Sequence, residues 1–350
     1  LTQEDRERLL AEGRKPVVRF RVPGAKKLVV NDLVHGEVGF ASEEIGDFII
    51  VKSDGVPTYN FAAVIDDHLM GITHVIRGEE HLSNTPRQLL LYQALGWKEP
   101  RFVHIPLILD EDRTKMSKRK GDVSVEEYRR RGYLPEALVN FLALLGWSPE
   151  GEEEILSLEE LVQRFSLERV SRSPAVFNTE KLKWLNAHYI KKSSDERLLD
   201  LALPQLKAAG YVQGEPGPDE RAWLLKLVAA VKENLTEVSE ITDQVDFFFT
   251  SEVRPEDAKT RQILKEEQVP SVFAATTEHL DALPELTPEA VRADLRRLAK
   301  ELGLTGRRVY MPLRVALTGR SHGPELYQVI AILGRQRVKE RLSAALAGRS

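Results

Sequence analysis

The 350-residue chain carries 50 Lys and Arg against 54 Asp and Glu, a formal net charge of -4, with 42% hydrophobic residues and no cysteine. This composition fits a folded chain, excludes disulfides and thiolate metal sites within these residues, and argues against a uniformly basic nucleic-acid coat, so any RNA contact must use local patches. No run approaches the ~20 apolar residues that span a bilayer and no signal pattern opens the chain, so two or three domains in a cytoplasmic setting are expected.

The chain begins at Leu1, not methionine, in a helix-like charged run from Thr2 to Arg14, the pattern of a fragment with an upstream part outside these residues. Residues 17–22 alternate apolar and basic before Pro23-Gly24 and read as a half-buried strand and turn. Leu28–Val30 and Val34–Phe40 read as further short strands, so residues 1–43 form a small β-rich element, the remnant of an insertion module.

Asp47–Lys52 is a compact apolar strand closed by Ser53-Asp54-Gly55. Ile72–Ile76 reads as a buried strand that delivers Arg77, Gly78, Glu79, Glu80 and His81 at its end. A helix follows, with Thr85 as N-cap, Pro86 in its first turn and Gly96 as its stop. Strand, polar cluster and helix form the βα unit that presents ligand groups at the carboxyl edge of a parallel sheet, so residues 44–110 read as half of a doubly wound nucleotide-binding domain. His104–Leu109 is its last strand.

That strand leads into Thr114-Lys-Met-Ser-Lys-Arg-Lys120, with four cations in seven residues and Gly121 behind them. A loop of this kind can close over a polyphosphate and offset charge that develops on a leaving group. From Ser124 the pattern turns helical. Ser124–Glu127 and Ser157–Glu160 are candidate capping boxes. Helices are predicted over Pro135–Leu145, Asn178–Lys192, Asp219–Ile241, Thr287–Leu302, Gly323–Leu333 and Arg337–Leu346, with 213–218 as an exposed hinge.

Tyr59, Asn60 and Arg77 can form a small-molecule pocket, an arginine fork holding a carboxylate and a phenol orienting it. The alternative makes Tyr59 a core residue and Arg77 an ion-pair partner of Glu79 or Glu80. Asp66-Asp67-His68 is a poor metal set, because adjacent side chains on a strand or turn diverge. The eight histidines are scattered singly and read as structural or exposed, with His81 set apart because it borders the presumed nucleotide pocket. Lys181, Lys183, Lys191, Lys192, Arg307, Arg308, Arg314, Arg320, Arg335 and Arg337 can contact a nucleic-acid backbone if they gather on one face.

The order Lys-Met-Ser-Lys-Arg at 115–119 resembles the second signature of class I aminoacyl-tRNA synthetases. Together with Lys52–Ala62, Asp66–Gly71, Val75–His81 and Pro312–Gly319, it resembles glutamyl-tRNA synthetase of the bacterial and organellar type from about residue 17 onward. The resemblance implies the C-terminal half of a Rossmann-like catalytic domain, a stem-contact region over 111–194 with the basic loop, and a helical anticodon-binding region over 195–350. It implies a monomer that attaches glutamate to tRNA(Glu) through a glutamyl-adenylate, using ATP with Mg2+ and releasing AMP and pyrophosphate, with no protein-bound metal in this segment. Tyr59, Asn60 and Arg77 would then contact glutamate. Glu80, His81, Leu107, Ile108, Lys115, Met116, Ser117, Lys118 and Arg119 would form the ATP site, with Lys118 neutralising phosphate charge and Lys115 assisting. The family's first signature, a His-x-Gly-His type tetrad, has no counterpart here, since not even His-x-Gly occurs. The expectation is therefore an enzyme segment that does not form adenylate by itself, with a catalytically inactive tRNA-binding module as the alternative.

Overall fold

The computed structural model describes residues 2–24, 27–116 and 124–348. The chain divides into two compact units, residues 1–120 with 139–178 and residues 121–138 with 179–350.

All strands among the described residues lie in the first unit. They are β1 (Val18–Phe20), β2 (Lys27–Asp32), β3 (Gly36–Ala41), β4 (Phe48–Val51), β5 (His74–Gly78), β6 (Arg101–Ile105), β7 (Ile108–Leu109) and β8 (Ala175–Val176). The main sheet has the order β3-β2-β6-β5, with an antiparallel β2/β3 hairpin and parallel β2/β6 and β5/β6 pairs. Residues 27–41 thus share a sheet with the predicted βα unit, which runs across the boundary drawn from the strand pattern at residue 43. Val30, Leu89 and Phe102 form the core on one side of this sheet. A second cluster of Val64, Leu91 and Tyr92 gathers Phe20 and Phe48 from the separate β1/β4 ribbon.

Several expectations are corrected. The strand predicted at Ile72–Ile76 begins at His74 and is an edge strand, so Ile76 is 58% exposed. Pro106 has no N–H to continue the ladder, and the single strand expected over His104–Leu109 ends at Ile105 and resumes as β7 beside β8. Asp66, Asp67 and His68 are helical, within Tyr59–Leu69, and His68 stacks on Trp97 at 3.8 Å. Thr85 is not a cap: a 3-10 turn over Glu79–Asn84 precedes it, and its fully buried side chain faces Arg77 and His104.

The regular structure of the second unit is helical in all its described residues. Its single core runs through Leu199, Val231, Phe248, Val272, Leu298, Leu313 and Val329. The helix predicted from Asp219 to Ile241 stops at Val231. A 3-10 turn over Lys232–Asn234 follows; beyond it Asn186 Nδ2 donates to the Thr236 carbonyl at 2.6 Å and Glu240 accepts the N–H groups of Thr236 and Glu237, before the next helix, Ile241–Phe249. Ser124 receives its cap bond from Glu127, but Glu127 spends its carboxylate on Arg130, so the box predicted there is half formed. In the first unit, the Ser157 box is complete. Leu326–Ala347 is two helices joined at Gly334 (φ 75°), matching the gap predicted between Leu333 and Arg337.

Candidate active site

The carboxyl ends of β5 and β6 collect most of the predicted site. Arg77, the penultimate residue of β5, points its guanidinium into a polar network rather than at Glu79 or Glu80. Its Nε donates to His104 Nε2 at 3.1 Å, and its Nη2 donates to Thr85 Oγ1 and Gln88 Oε1, each at 2.9 Å. Gln88 in turn donates to Asn60 Oδ1 at 3.2 Å. The expected fork is therefore used up by the protein, and Nη1 is the nitrogen with no hydrogen-bond partner among the described residues.

Behind Arg77 lies a pair that the sequence reading left among the structural residues. His104 and Asp32 are both completely buried, and His104 Nδ1 donates to Asp32 Oδ2 at 2.7 Å. The same carboxylate accepts the backbone N–H groups of Val34, His35 and His104. Burial works to raise the Asp32 pKa, but the bonds from His35, the His104 ring and Val34 outweigh it and hold the carboxyl below its ordinary value. Burial pushes His104 below the ordinary imidazole value, with the nearby Arg77 charge acting the same way against Asp32. A neutral ring fits its contacts, since Nε2 must accept from a guanidinium. The available signal was a lone histidine in the apolar run Phe102–Ile105 and an aspartate closing Val29–Asp32.

Tyr59 opens the helix Tyr59–Leu69, is 55% exposed, and meets the His81 ring at 5.9 Å, so it is not the core residue of the alternative reading. Glu80 pairs with Lys115 at 3.5 Å; its own backbone N–H, against a smaller opposing effect of burial and with help from Lys115, keeps its carboxyl below the usual range. Leu107 donates its N–H to Glu79 Oε1 at 3.2 Å and gives its carbonyl to Ala175. Ile108 lines an apolar cavity of about 160 Å³ with Trp147 and Phe165. The root of the basic loop is a tight return from β7, with Lys115 bridged to Leu109 and the Met116 N–H to the Ile108 carbonyl at 3.4 Å. Ser117, Lys118 and Arg119 lie outside the described residues. No group of three or more His, Asp or Glu among the described residues is placed to hold a metal ion.

In the second unit, several cations picked out as RNA contacts brace the fold. Arg320 binds Asp246, Arg335 binds the Leu280 carbonyl, Arg337 binds the Phe248 carbonyl, and Arg308 binds Gln268. Lys183 and Lys191 pair with Glu180 and Glu233. Arg314 lines a cleft of about 240 Å³ with Arg292, Arg296, Tyr310 and Tyr327, and Arg292 stands over the Tyr327 ring at 5.3 Å. The Arg292/Arg296 pair, at helical i, i+4 spacing, was missed in the sequence. Glu325 also lines the cleft and Arg314 gives Nη1 to the Pro324 carbonyl, which leaves Arg292 and Arg296, beside two aromatic rings, as the groups suited to phosphates and stacked bases.

The family model described as tRNA synthetases class I (E and Q), catalytic domain, matches residues 1–184, and an anticodon binding domain model matches 197–346. The glutamate–tRNA ligase of Desulforamulus reducens is 54% identical over 346 residues, covering 99% of this chain and 72% of that protein. That of Carboxydothermus hydrogenoformans is 55% identical over 343 residues, covering 98% and 71%. A crystal structure of a glutamate tRNA ligase from Elizabethkingia meningosepticum in complex with its amino acid superposes with a TM-score of 0.87 at 34% identity, covering all of this chain and 72% of that one. No helix among the described residues is long and apolar enough to cross a membrane.

Proposed function

The chain belongs to the class I tRNA synthetases of the glutamate and glutamine type, and on that premise we propose that it serves the ATP-dependent attachment of glutamate to tRNA(Glu) through a glutamyl-adenylate. The observation that carries this is the family match along the whole chain, combined with Tyr59, Arg77, Glu80, His81 and Lys115 clustering at the carboxyl ends of two parallel strands. In this reading Arg77 offers Nη1, and Tyr59 its exposed hydroxyl, to glutamate. Glu80, His81, Leu107 and Ile108 border the nucleotide. Lys115, held at the loop root by Glu80, and Lys118 offset charge on the phosphates as pyrophosphate leaves. Mg2+ enters with ATP, coordinated by its phosphates. The second unit takes the tRNA anticodon region, with Arg292, Arg296 and Tyr327 as its nucleotide-facing groups. The protein acts as a cytoplasmic monomer.

The absence of His-x-Gly favours one qualification of this role. The nucleotide grip that the resemblance assigns to that signature is not supplied by these residues, so the 350-residue chain binds tRNA(Glu) without forming adenylate alone. Two measurements test the reading. Filter binding is expected to show tRNA(Glu) preferred over an unrelated tRNA, and glutamate-dependent ATP–pyrophosphate exchange is expected to stay at background. No tRNA preference would overturn the partner, and robust exchange would overturn the qualification.

A further inference from the structure

Arg77 cannot hold its own orientation. A guanidinium on a flexible stem reaches one geometry only if its N–H groups are claimed by fixed acceptors, and here three of its five N–H bonds are claimed by His104, Thr85 and Gln88. Two of these acceptors are uncharged oxygens. The third is a ring nitrogen whose ability to accept depends on which nitrogen carries the proton. Asp32 decides that. Its Oδ2 sits 2.7 Å from His104 Nδ1 and also takes the His104 backbone N–H at 3.0 Å, so the ring proton stays on Nδ1 and the Nε2 lone pair faces Arg77 Nε and the Thr85 hydroxyl, each at 3.1 Å.

We propose that Asp32 and His104 are positioning residues for Arg77: the carboxylate fixes the imidazole tautomer, the imidazole fixes the guanidinium, and Nη1 remains as the donor presented to a ligand carboxylate. The guanidinium is further seated over Phe102, 5.8 Å from the ring centroid. A rotation of the guanidinium exchanges Nη1 for a nitrogen that the protein needs. The ligand side of this inference rests on the reading of Arg77 as a glutamate contact; the relay itself does not.

The test uses the 350-residue chain isotope-labelled at histidine and arginine nitrogens, near neutral pH. Wild type is expected to show His104 protonated on Nδ1 and bare on Nε2, with a slowly exchanging Arg77 Nε–H. Asp32→Asn is expected to move the proton to Nε2, remove protection from Arg77 Nε–H, and weaken glutamate binding measured by calorimetry about tenfold. His104→Gln, whose side-chain oxygen can take the place of Nε2 as acceptor, should keep the Arg77 signal and most of the affinity; His104→Leu should lose both. The relay is overturned if wild-type His104 carries its proton on Nε2, or if Asp32→Asn leaves the Arg77 signal and glutamate affinity unchanged. If wild type binds no glutamate, the ligand reading fails, and the tautomer and Arg77 signals judge the relay by themselves. If Asp32→Asn does not fold, the contrast between His104→Gln and His104→Leu decides, and equal behaviour of those two variants overturns the proposal.

Discussion

Gly132 packs against Val238 so closely that a Cβ placed on it would stand 2.5 Å from the valine Cβ. The glycine ends the helix Val125–Arg131 in the left-handed region at φ 79°, and its carbonyl accepts the Val238 N–H at 3.4 Å. Both strain and overlap oppose a side chain here. Gly132→Ala should destabilise the second unit by about 2–4 kcal/mol, read as a fall in urea midpoint. A shift under about 0.5 kcal/mol would show that the contact gives way freely.

Arg341 is 5% exposed and donates to the carbonyls of Leu317, Phe247 and Thr250, closing the ends of two helices at once. Burial pushes its pKa down to about 10, with Arg337 acting in the same direction. Arg341→Met keeps the stem but strands buried carbonyls, and should cost roughly 3 kcal/mol. Arg341→Lys should recover part of that loss, since one ammonium cannot reach three divergent oxygens as a planar fork does. Denaturant titration of the three proteins checks the order.

The first unit should lose stability on acidification. His104 has a folded pKa below its ordinary value, so as pH falls below about 6.5 the unfolded chain binds a proton that the folded chain refuses. Asp32 has a lowered folded pKa and adds a loss of the same sign, starting as pH falls through the ordinary carboxylate value. The slope from His104 cannot exceed about 1.4 kcal/mol per pH unit. Urea unfolding followed at the sheet amides between neutral pH and pH ~5 should show it, and His104→Gln should flatten it.

Glu136 in the second unit accepts both Nη groups of Arg197, a bond that, against the opposing effect of burial, lowers its pKa. The stability this pair supplies is present above the ordinary glutamate value and lost as pH falls through the lowered one. Glu136→Gln should therefore reduce stability at neutral pH and cost less at acid pH, the difference shrinking as pH falls below the ordinary glutamate value. An equal loss at both pH values would mean that shape, not charge, matters there.

Arg292 and Arg296 stand on one face of the cleft that also holds Arg314 and Tyr327. If the cleft meets tRNA phosphates, Arg296→Ala should weaken tRNA(Glu) binding and reduce the salt slope by about one. Tyr327→Leu should weaken binding with the slope intact, because stacking releases no counterions. Binding isotherms at several salt concentrations separate the two outcomes.

The sequence by itself determined most element types, though not the helix Tyr59–Leu69, together with the basic signature loop at Lys115–Arg119 and the family. Each is carried by local order, such as the helical spacing of Leu182 and Leu185 or the Gly96 stop, and local order survives without knowledge of the fold. Tertiary structure decided where those elements end and what the polar groups do. The helix after Asp219 ends at Val231, and the Thr236 carbonyl beyond it goes to Asn186, a bond across 50 residues that no window can see. Arg77 loses its fork because the register of β5 on β6 sets it opposite His104, and Asp32, 72 residues before His104, governs that histidine. A hydrogen bond is chosen by proximity and direction after the chain has folded, so the residue that orients Arg77 could be read only from the pairing of the strands.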